Sequence, residues 1–278
     1  MNNLMRNRWT LVAYAFCAAV AVFALMPLFW MTYSSFKPYD ELYQFPPTFS
    51  LATLGWHNYE KVVLSSPFPH FMVNSLLVSV LSTLISVLFA AMAGWSLARA
   101  RFRGRWLILN TVLLAYLFPQ VLIVLPLFTA IAKMGLSNTY LGLILAYVTF
   151  TFPFSTWMLT AYFSKVPVEI EEAGRVDGAS NLMVFFRLVL PLAAPGIVTV
   201  AIFSFINAWN EFLYALVILG GGDKRTLPVG LFNFVGGEFA QWGEMMAATS
   251  LTMLPTLILF LLIQRRLVGG LTAGAVRG

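Results

Sequence analysis

The sequence predicts an all-α polytopic membrane protein with six spans. Hydrophobic residues make up 60% of its 278 positions and charged residues only 10%, against about 25% charged in ordinary soluble domains. Six apolar runs, about Leu11 to Tyr33, Phe71 to Ala98, Trp106 to Ile131, Tyr140 to Phe163, Ile197 to Leu219 and Met245 to Ile263, each approach the ~20 residues that a core about 30 Å thick demands. Short connections leave no room for a large soluble domain. Residues 1–278 therefore read as a single transmembrane domain, and no solvent-exposed catalytic domain is expected.

The basic residues set the orientation. With both termini cytoplasmic, the inside segments hold Arg6, Arg8, Arg99, Arg101, Arg103, Arg105, Lys165, Arg175, Arg187, Arg265, Arg266 and Arg277, and the outside ones only Lys37, Lys61, Lys133, Lys224 and Arg225. Positive side chains resist translocation, so this division is the expected one. The cluster RARFRGR at 99–105 is a topology signal on this reading, and no nucleic-acid partner is expected, because a basic patch for polymers comes with a soluble fold to display it. MNNLMRNRWT leads into the first run without a small-residue cleavage signal, so that run reads as a retained helix. The single cysteine, Cys17, lies within it as packing filler. Prolines, aromatics and mixed charges between Ser34 and His70 suggest an ordered outer cap.

The segment 164–196 is long, inside, and mixes charge with helix punctuation. Pro167 suits a first helical turn. Glu169, Glu171 and Glu172 complement the positive end of a helix dipole, and Gly178 supplies a stop. Glu171 and Arg175 stand four apart in the favoured order, worth roughly 0.2–0.5 kcal/mol if exposed. Asn181 can cap a second short helix reaching Leu190, which Pro191 ends. A helix, a turn and a helix between the fourth and fifth spans make a shape suited to docking.

Glu172, Ala173, Asp177, Gly178 and Ala179, followed by Leu190 and Pro191, resemble the signature loop of ABC importer permeases, an EAA, then a glycine, then a leucine and proline at fixed distance. Gly174 departs from that pattern by replacing an alanine, which weakens the helix by about 1 kcal/mol. The resemblance extends over nearly the whole chain: SSFKP at 34–38, NSL at 74–76, GWSLARARFRGR at 94–105, FPQ with LPLF at 118–128, AWNEF at 208–212 and the ending RRLVGGLTAGAVRG. Together these resemble the carbohydrate-importer branch, specifically the second, smaller permease subunit of maltose-type systems.

That resemblance implies a type I ABC importer permease fold in a bacterial inner membrane. It implies a second, non-identical permease, two ATPase subunits that bind ATP and Mg, and an extracytoplasmic solute-binding protein that delivers a sugar or sugar-like solute to outer loops including residues 219–244. No cofactor is expected on this chain. The loop would form a coupling helix, about Glu169 to Gly178, seated in a groove of the ATPase. Glu172 would be its polar anchor, Ala173 and Gly174 its close-contact surface, and Asp177 and Gly178 its end. The tail at 264–278 would lie along the ATPase interface or fray.

Glu211 is the only acidic residue inside an expected span. An ionisable group at that depth costs on the order of 3 kcal/mol or more facing lipid, so it should face protein or a water-filled cavity. Asn207 lies one turn before it, Asn210 is adjacent, and Trp209 and Tyr214 flank the set; carboxylates, amides and aromatic faces are what sugars bind. Cargo contact, a polar clamp between helices and gating against the partner permease all remain open. Gln120, after Pro119 in a helix interrupted again at Pro126, is a further candidate.

A membrane enzyme fares poorly as a rival: no metal-ligand cluster, Ser/His/Asp set or paired carboxylates share one depth. GGGDKRT at 220–226 lacks a glycine directly before its lysine, so it reads as a turn, not a phosphate loop. A self-sufficient secondary transporter, or a permease for another polar solute, stands as the alternative.

Overall fold

The computed structural model describes residues 2–99, 102–234 and 241–275, and among them every regular element is helical. The order begins α1 (Asn2–Ser35), α2 (Tyr39–Leu42), α3 (His57–Leu64), α4 (Phe68–Arg99), α5 (Arg105–Leu117), α6 (Gln120–Lys133) and α7 (Tyr140–Phe163). It continues through α8 (Val168–Val176), α9 (Asn181–Met183), a π-helical turn over Val184–Val189 and α10 (Leu190–Leu192). Then come α11 (Ala194–Trp209), α12 (Leu213–Ile218), α13 (Leu227–Leu231) and α14 (Trp242–Ala275). The chain divides into two compact units, residues 1–69 with 231–254 and residues 70–230 with 255–278.

Among the described residues four unbroken helices are long and apolar enough to cross a membrane, and the number rises to as many as six where each of two bent pairs counts as one span. The third expected run is one of these pairs: α5 and α6 meet at 97° across Phe118 and Pro119. A proline forces its predecessor out of the helical region, and Phe118 duly sits at φ −68°, ψ 133°. The expected second interruption does not occur, because α6 runs on through Pro126; membrane helices tolerate an interior proline where neighbouring groups and local adjustment re-satisfy the freed backbone. The fifth run also differs. The loop helices meet α11 at 81°, and α11 stops at Trp209 before α12 restarts at Leu213.

In the first unit the expected outer cap is ordered. Asn58 Nδ2 donates to the carbonyls of Ser35 and Lys37, both at 2.9 Å, closing the end of α1. Lys37, counted from sequence as an outside charge, is buried, with Nζ 5.1–5.7 Å from the ring centroids of Tyr33, Trp30 and Phe49. Its ammonium also donates to the Thr48 carbonyl. An aromatic cage of this kind stabilises a desolvated cation. Lys61 and Glu244 form an ion pair at 3.3 Å.

The second unit is organised by α4 and α7, which run in the same direction. Asn74 meets Tyr140, Ser86 meets Thr151, and Gly94 meets Thr160 as both helices proceed. Close approach follows from small residues: Ser75, Ser79, Ser82 and Ser86 are buried at helical spacing, and a Cβ on Gly94 would lie 3.0 Å from the Thr160 nitrogen. One apolar cluster, including Val78, Leu143, Tyr147, Tyr214 and Ile218, packs towards the Asn74 end. Another, including Ala90, Leu159, Phe163, Phe185 and Val189, packs towards the Arg99 end. α7 begins at a Thr139 cap whose Oγ accepts from the Gly142 nitrogen at 3.1 Å. A Cβ on Gly142 would overlap the Leu136 carbonyl oxygen. Gly142→Ala should therefore destabilise the protein by about 1–3 kcal/mol, seen as a lowered thermal midpoint; an unchanged midpoint would show that this turn gives way freely.

The residues expected to form a tail do not part from the last helix. α14 continues through position 275, and 276–278 lie outside the described residues. So do Ala100 and Arg101 of the basic cluster and residues 235–240 of the expected outer docking loop.

Candidate coupling surface and polar cavity

The loop 164–196 folds as its punctuation suggests, with two changes. Pro167 occupies the N-cap position of α8, Glu169 and Glu171 lie in the first turn, and Gly178 follows the helix at φ +86°. There the Gly178 and Ala179 nitrogens donate to the carbonyls of Arg175 at 3.0 Å and Gly174 at 2.9 Å, satisfying end groups that would otherwise be orphaned. The cap of the second helix is Ser180, not Asn181: its Oγ accepts from the Met183 nitrogen at 3.3 Å. Asn181 is the first helical residue, and its Oδ1 accepts from Arg175 Nε at 3.2 Å. The second change is that this helix opens into a π-helical turn and passes Pro191, ending at Leu192.

The three glutamates separate by face. Glu169, Glu172, Ala173 and Val176 share one side of α8 and are exposed, as are Asp177 and Gly178. Glu171 is fully buried. Its Oε1 lies 2.7 Å from Arg99 Nη2 and accepts from Arg99 Nε at 2.8 Å and Trp95 Nε1 at 3.1 Å. Oε2 faces Arg175 Nη2 at 3.5 Å. The Glu171–Arg175 contact thus runs from a buried carboxylate to an exposed guanidinium, at the edge of the cluster. Arg99 also donates to the carbonyls of Phe163 at 3.1 Å and Val166 at 2.9 Å. It therefore joins the ends of α4 and α7 to α8, a role its place in a basic run conceals.

Gly174 corrects a second expectation. It is buried, and a Cβ there would lie 2.6 Å from Leu188 Cδ1. The close approach it permits is to the second half of its own loop. Sequence reasoning missed Val176, 87% exposed beside the outward carboxylates, and the exposed Leu182, Met183 and Phe186. Apolar side chains uncovered on a charged loop are the signal that could have found them.

The four residues singled out within the spans converge. Gln120, Asn207, Asn210 and Glu211 line one cavity of about 400 Å³ with Phe150, Ile206, Phe212 and Leu213. Asn207 and Glu211 are not on one continuous turn, because α11 ends between them. Instead the Glu211 carboxylate caps α12, accepting from the Tyr214 nitrogen at 2.8 Å and the Ala215 nitrogen at 3.1 Å. A carboxylate at a helix N-terminus satisfies donors and complements the dipole. Tyr214 Oη donates to the Gln120 carbonyl at 3.1 Å, so the interruptions at Pro119 and at 210–212 meet through one side chain. Trp209 and Tyr214 are buried and offer the cavity no aromatic face; Phe150 and Phe212 do line it. Non-helical backbone at membrane depth is tolerated where it lines such a cavity.

Comparison with known proteins follows the same outline. A family model described as "Binding-protein-dependent transport system inner membrane component" matches residues 86–272. The inner membrane ABC transporter permease protein YcjP of Escherichia coli (strain K12) is 37% identical over 277 residues, 98% of this chain and 99% of that one. The trehalose/maltose transport system permease protein MalG of Thermococcus litoralis is 40% identical over 264 residues, 93% of this chain and 94% of that one. The trehalose transport system permease protein SugB of Mycobacterium tuberculosis is 36% identical over 261 residues, covering 93% and 94%. Among solved structures, a bacterial ABC transporter involved in the import of the acidic polysaccharide alginate shares the fold, with TM-score 0.81 at 21% identity over 93% of this chain and 96% of that one.

Proposed function

The chain belongs to the inner membrane components of binding-protein-dependent transport systems, a multi-pass family of ABC transporter permeases, and from that premise we propose that it is one of two non-identical permeases in an importer of a sugar or sugar-like solute. The outward face of α8 carries this reading. Glu169, Glu172, Ala173 and Val176, with Asp177 and Gly178 beyond them, present carboxylates around an uncovered apolar side chain, which suits a groove on an ATPase subunit. ATP and Mg belong to that partner, two copies of which would close on nucleotide. Closure shifts the permease because ATP binds one of its states better than the other. The unequal charge count supports placing the loop on the cytoplasmic side.

A sugar is favoured by relatives named for trehalose/maltose, trehalose and diacetylchitobiose, and by a cavity lined with two amides on α11 and its end, a glutamine, a carboxylate and two phenylalanines. An extracytoplasmic binding protein would deliver the solute. Deleting the ATPase gene while this chain is still made should abolish uptake of labelled trehalose or maltose, whichever the intact cells accumulate. Uptake that persists would return the secondary transporter to first place.

Glu211 has two jobs on this account, capping α12 and lining the path. Glu211→Gln keeps one acceptor and removes the charge, so the concentration of sugar giving half-maximal uptake should move by about tenfold, the worth of one hydrogen bond to a charged group. Unchanged kinetics would leave only the cap.

A further inference from the structure

The buried cluster at Glu171 and the glycine turn at 220–226 occupy opposite ends of the same helix. Asn74 and Arg99, near the two ends of α4, are 25 residues apart, or about 38 Å along a helix. At the Asn74 end, Nδ2 donates to the carbonyls of Asp223 at 2.7 Å and Arg225 at 3.0 Å, while Oδ1 accepts from Tyr140 Oη at 2.8 Å. The next residue, Ser75, accepts from the Leu227 nitrogen at 2.7 Å through its Oγ. Lys224 Nζ adds a contact to the Asn138 carbonyl at 2.8 Å. Gly220, Gly221 and Gly222 all have positive φ, at 58°, 113° and 72°. Beyond a short 3-10 turn over Gly222–Lys224, this stretch is held by Asn74 and Ser75 of α4 and by Lys224 on the Asn138 carbonyl.

We propose that α4 is a rod carrying the movement of α8 to the 222–227 turn, with the Glu171–Arg99 pair as its joint at one end and Asn74 with Ser75 as its joint at the other. The proposal rests on α8 being the ATPase-coupling helix and adds the positioning residues through which that coupling passes. Its physical basis is a contrast. α5 with α6 and the loop with α11 are bent at 97° and 81° and can hinge; α4 is one unbroken helix of 32 residues. It is fastened to the parallel α7 at three depths by the Asn74–Tyr140, Ser86–Thr151 and Gly94–Thr160 contacts. Arg99 then ties α8 to its neighbours, because one guanidinium holds Glu171, the Phe163 carbonyl at the end of α7 and the Val166 carbonyl just beyond it. A displacement of α8 is thereby a displacement of the turn.

The test uses the complete importer with its binding protein in lipid nanodiscs. A fluorophore is placed at position 223 by Asp223→Cys in a Cys17→Ser background, and its quenching by iodide is compared without nucleotide and with ATP plus vanadate. The parent complex should show a nucleotide-dependent change. Asn74→Ala, at a half-buried position away from α8, should keep the ATPase bound and hydrolysing while that change disappears. Glu171→Gln should do the same, with binding-protein stimulation of hydrolysis falling about fivefold or more. A wild-type response in Asn74→Ala, or a full response in a Glu171→Gln complex that hydrolyses ATP, overturns the rod. Failure of the parent reading looks different: the unmodified chain then recruits no ATPase.

Discussion

Arg99→Ala should lower the stability of the chain by about 3–5 kcal/mol, the range found when one partner of a buried ion pair is removed. Glu171 is fully buried, and its Oε1 takes both a charge partner and a hydrogen-bond fork from Arg99. Deleting that guanidinium leaves a carboxylate with Trp95 and the longer contact to Arg175, and it also strips the carbonyls of Phe163 and Val166 of their donor. Thermal unfolding of the purified chain in detergent measures the loss. The double variant Arg99→Met with Glu171→Met is the control: replacing both charges by apolar side chains of similar length should recover the part of the loss that belongs to the orphaned charge, while the carbonyls of Phe163 and Val166 stay without their donor. Arg99→Lys should recover little, since an ammonium lacks the planar fork that reaches three acceptors at once. A small loss in Arg99→Ala would mean that water reaches Glu171.

The second large effect separates neighbouring glutamates. Glu172→Arg places a positive charge on the exposed face of α8, where folding does not need the carboxylate. Stability should stay within about 0.5 kcal/mol of the parent, as for other surface substitutions. Affinity for the ATPase should fall by about 2–4 kcal/mol, the cost of losing a central interface contact. Val176→Asp should act in the same direction by wetting the apolar centre of the patch. The pair of measurements, thermal midpoint and amount of ATPase retained on purification, should thus give opposite patterns for positions 171 and 172. Equal stability losses at both would show that α8 has no outward functional face.

These two glutamates also mark how far the sequence could be read. Residues 168–176 were legible as a helix because Pro167 and Gly178 act locally and because charges are scarce enough in this chain to stand out. Which glutamate turned inward was not legible, since its partner Arg99 is 72 residues away and sits in a basic run that orientation alone would explain. The spans were legible for the same reason in reverse: hydropathy is additive along the chain, and it locates apolar runs without reporting their geometry. It passes smoothly over Phe118–Pro119 and over Asn210–Phe212, so the two breaks were hidden even where proline hinted at one. Glu211 stood out in the sequence as a carboxylate needing a polar setting. That the setting is the N-terminus of α12 depends on a break the hydropathy does not register. Ser180 and Asn181 are adjacent good caps, and only the backbone at Ser180, extended at φ −66°, ψ 158°, decides between them.

The central claim is that this permease works through a separate ATPase docked on α8. Its most direct test is to purify the chain from native membranes in mild detergent and identify by mass what remains bound, with Glu172→Arg prepared in parallel. The account requires the parent chain to bring a second permease and an ATPase with it, and the variant to keep the permease while losing most of the ATPase. A parent chain that transports but purifies alone, or a variant that holds its ATPase undiminished, would contradict it.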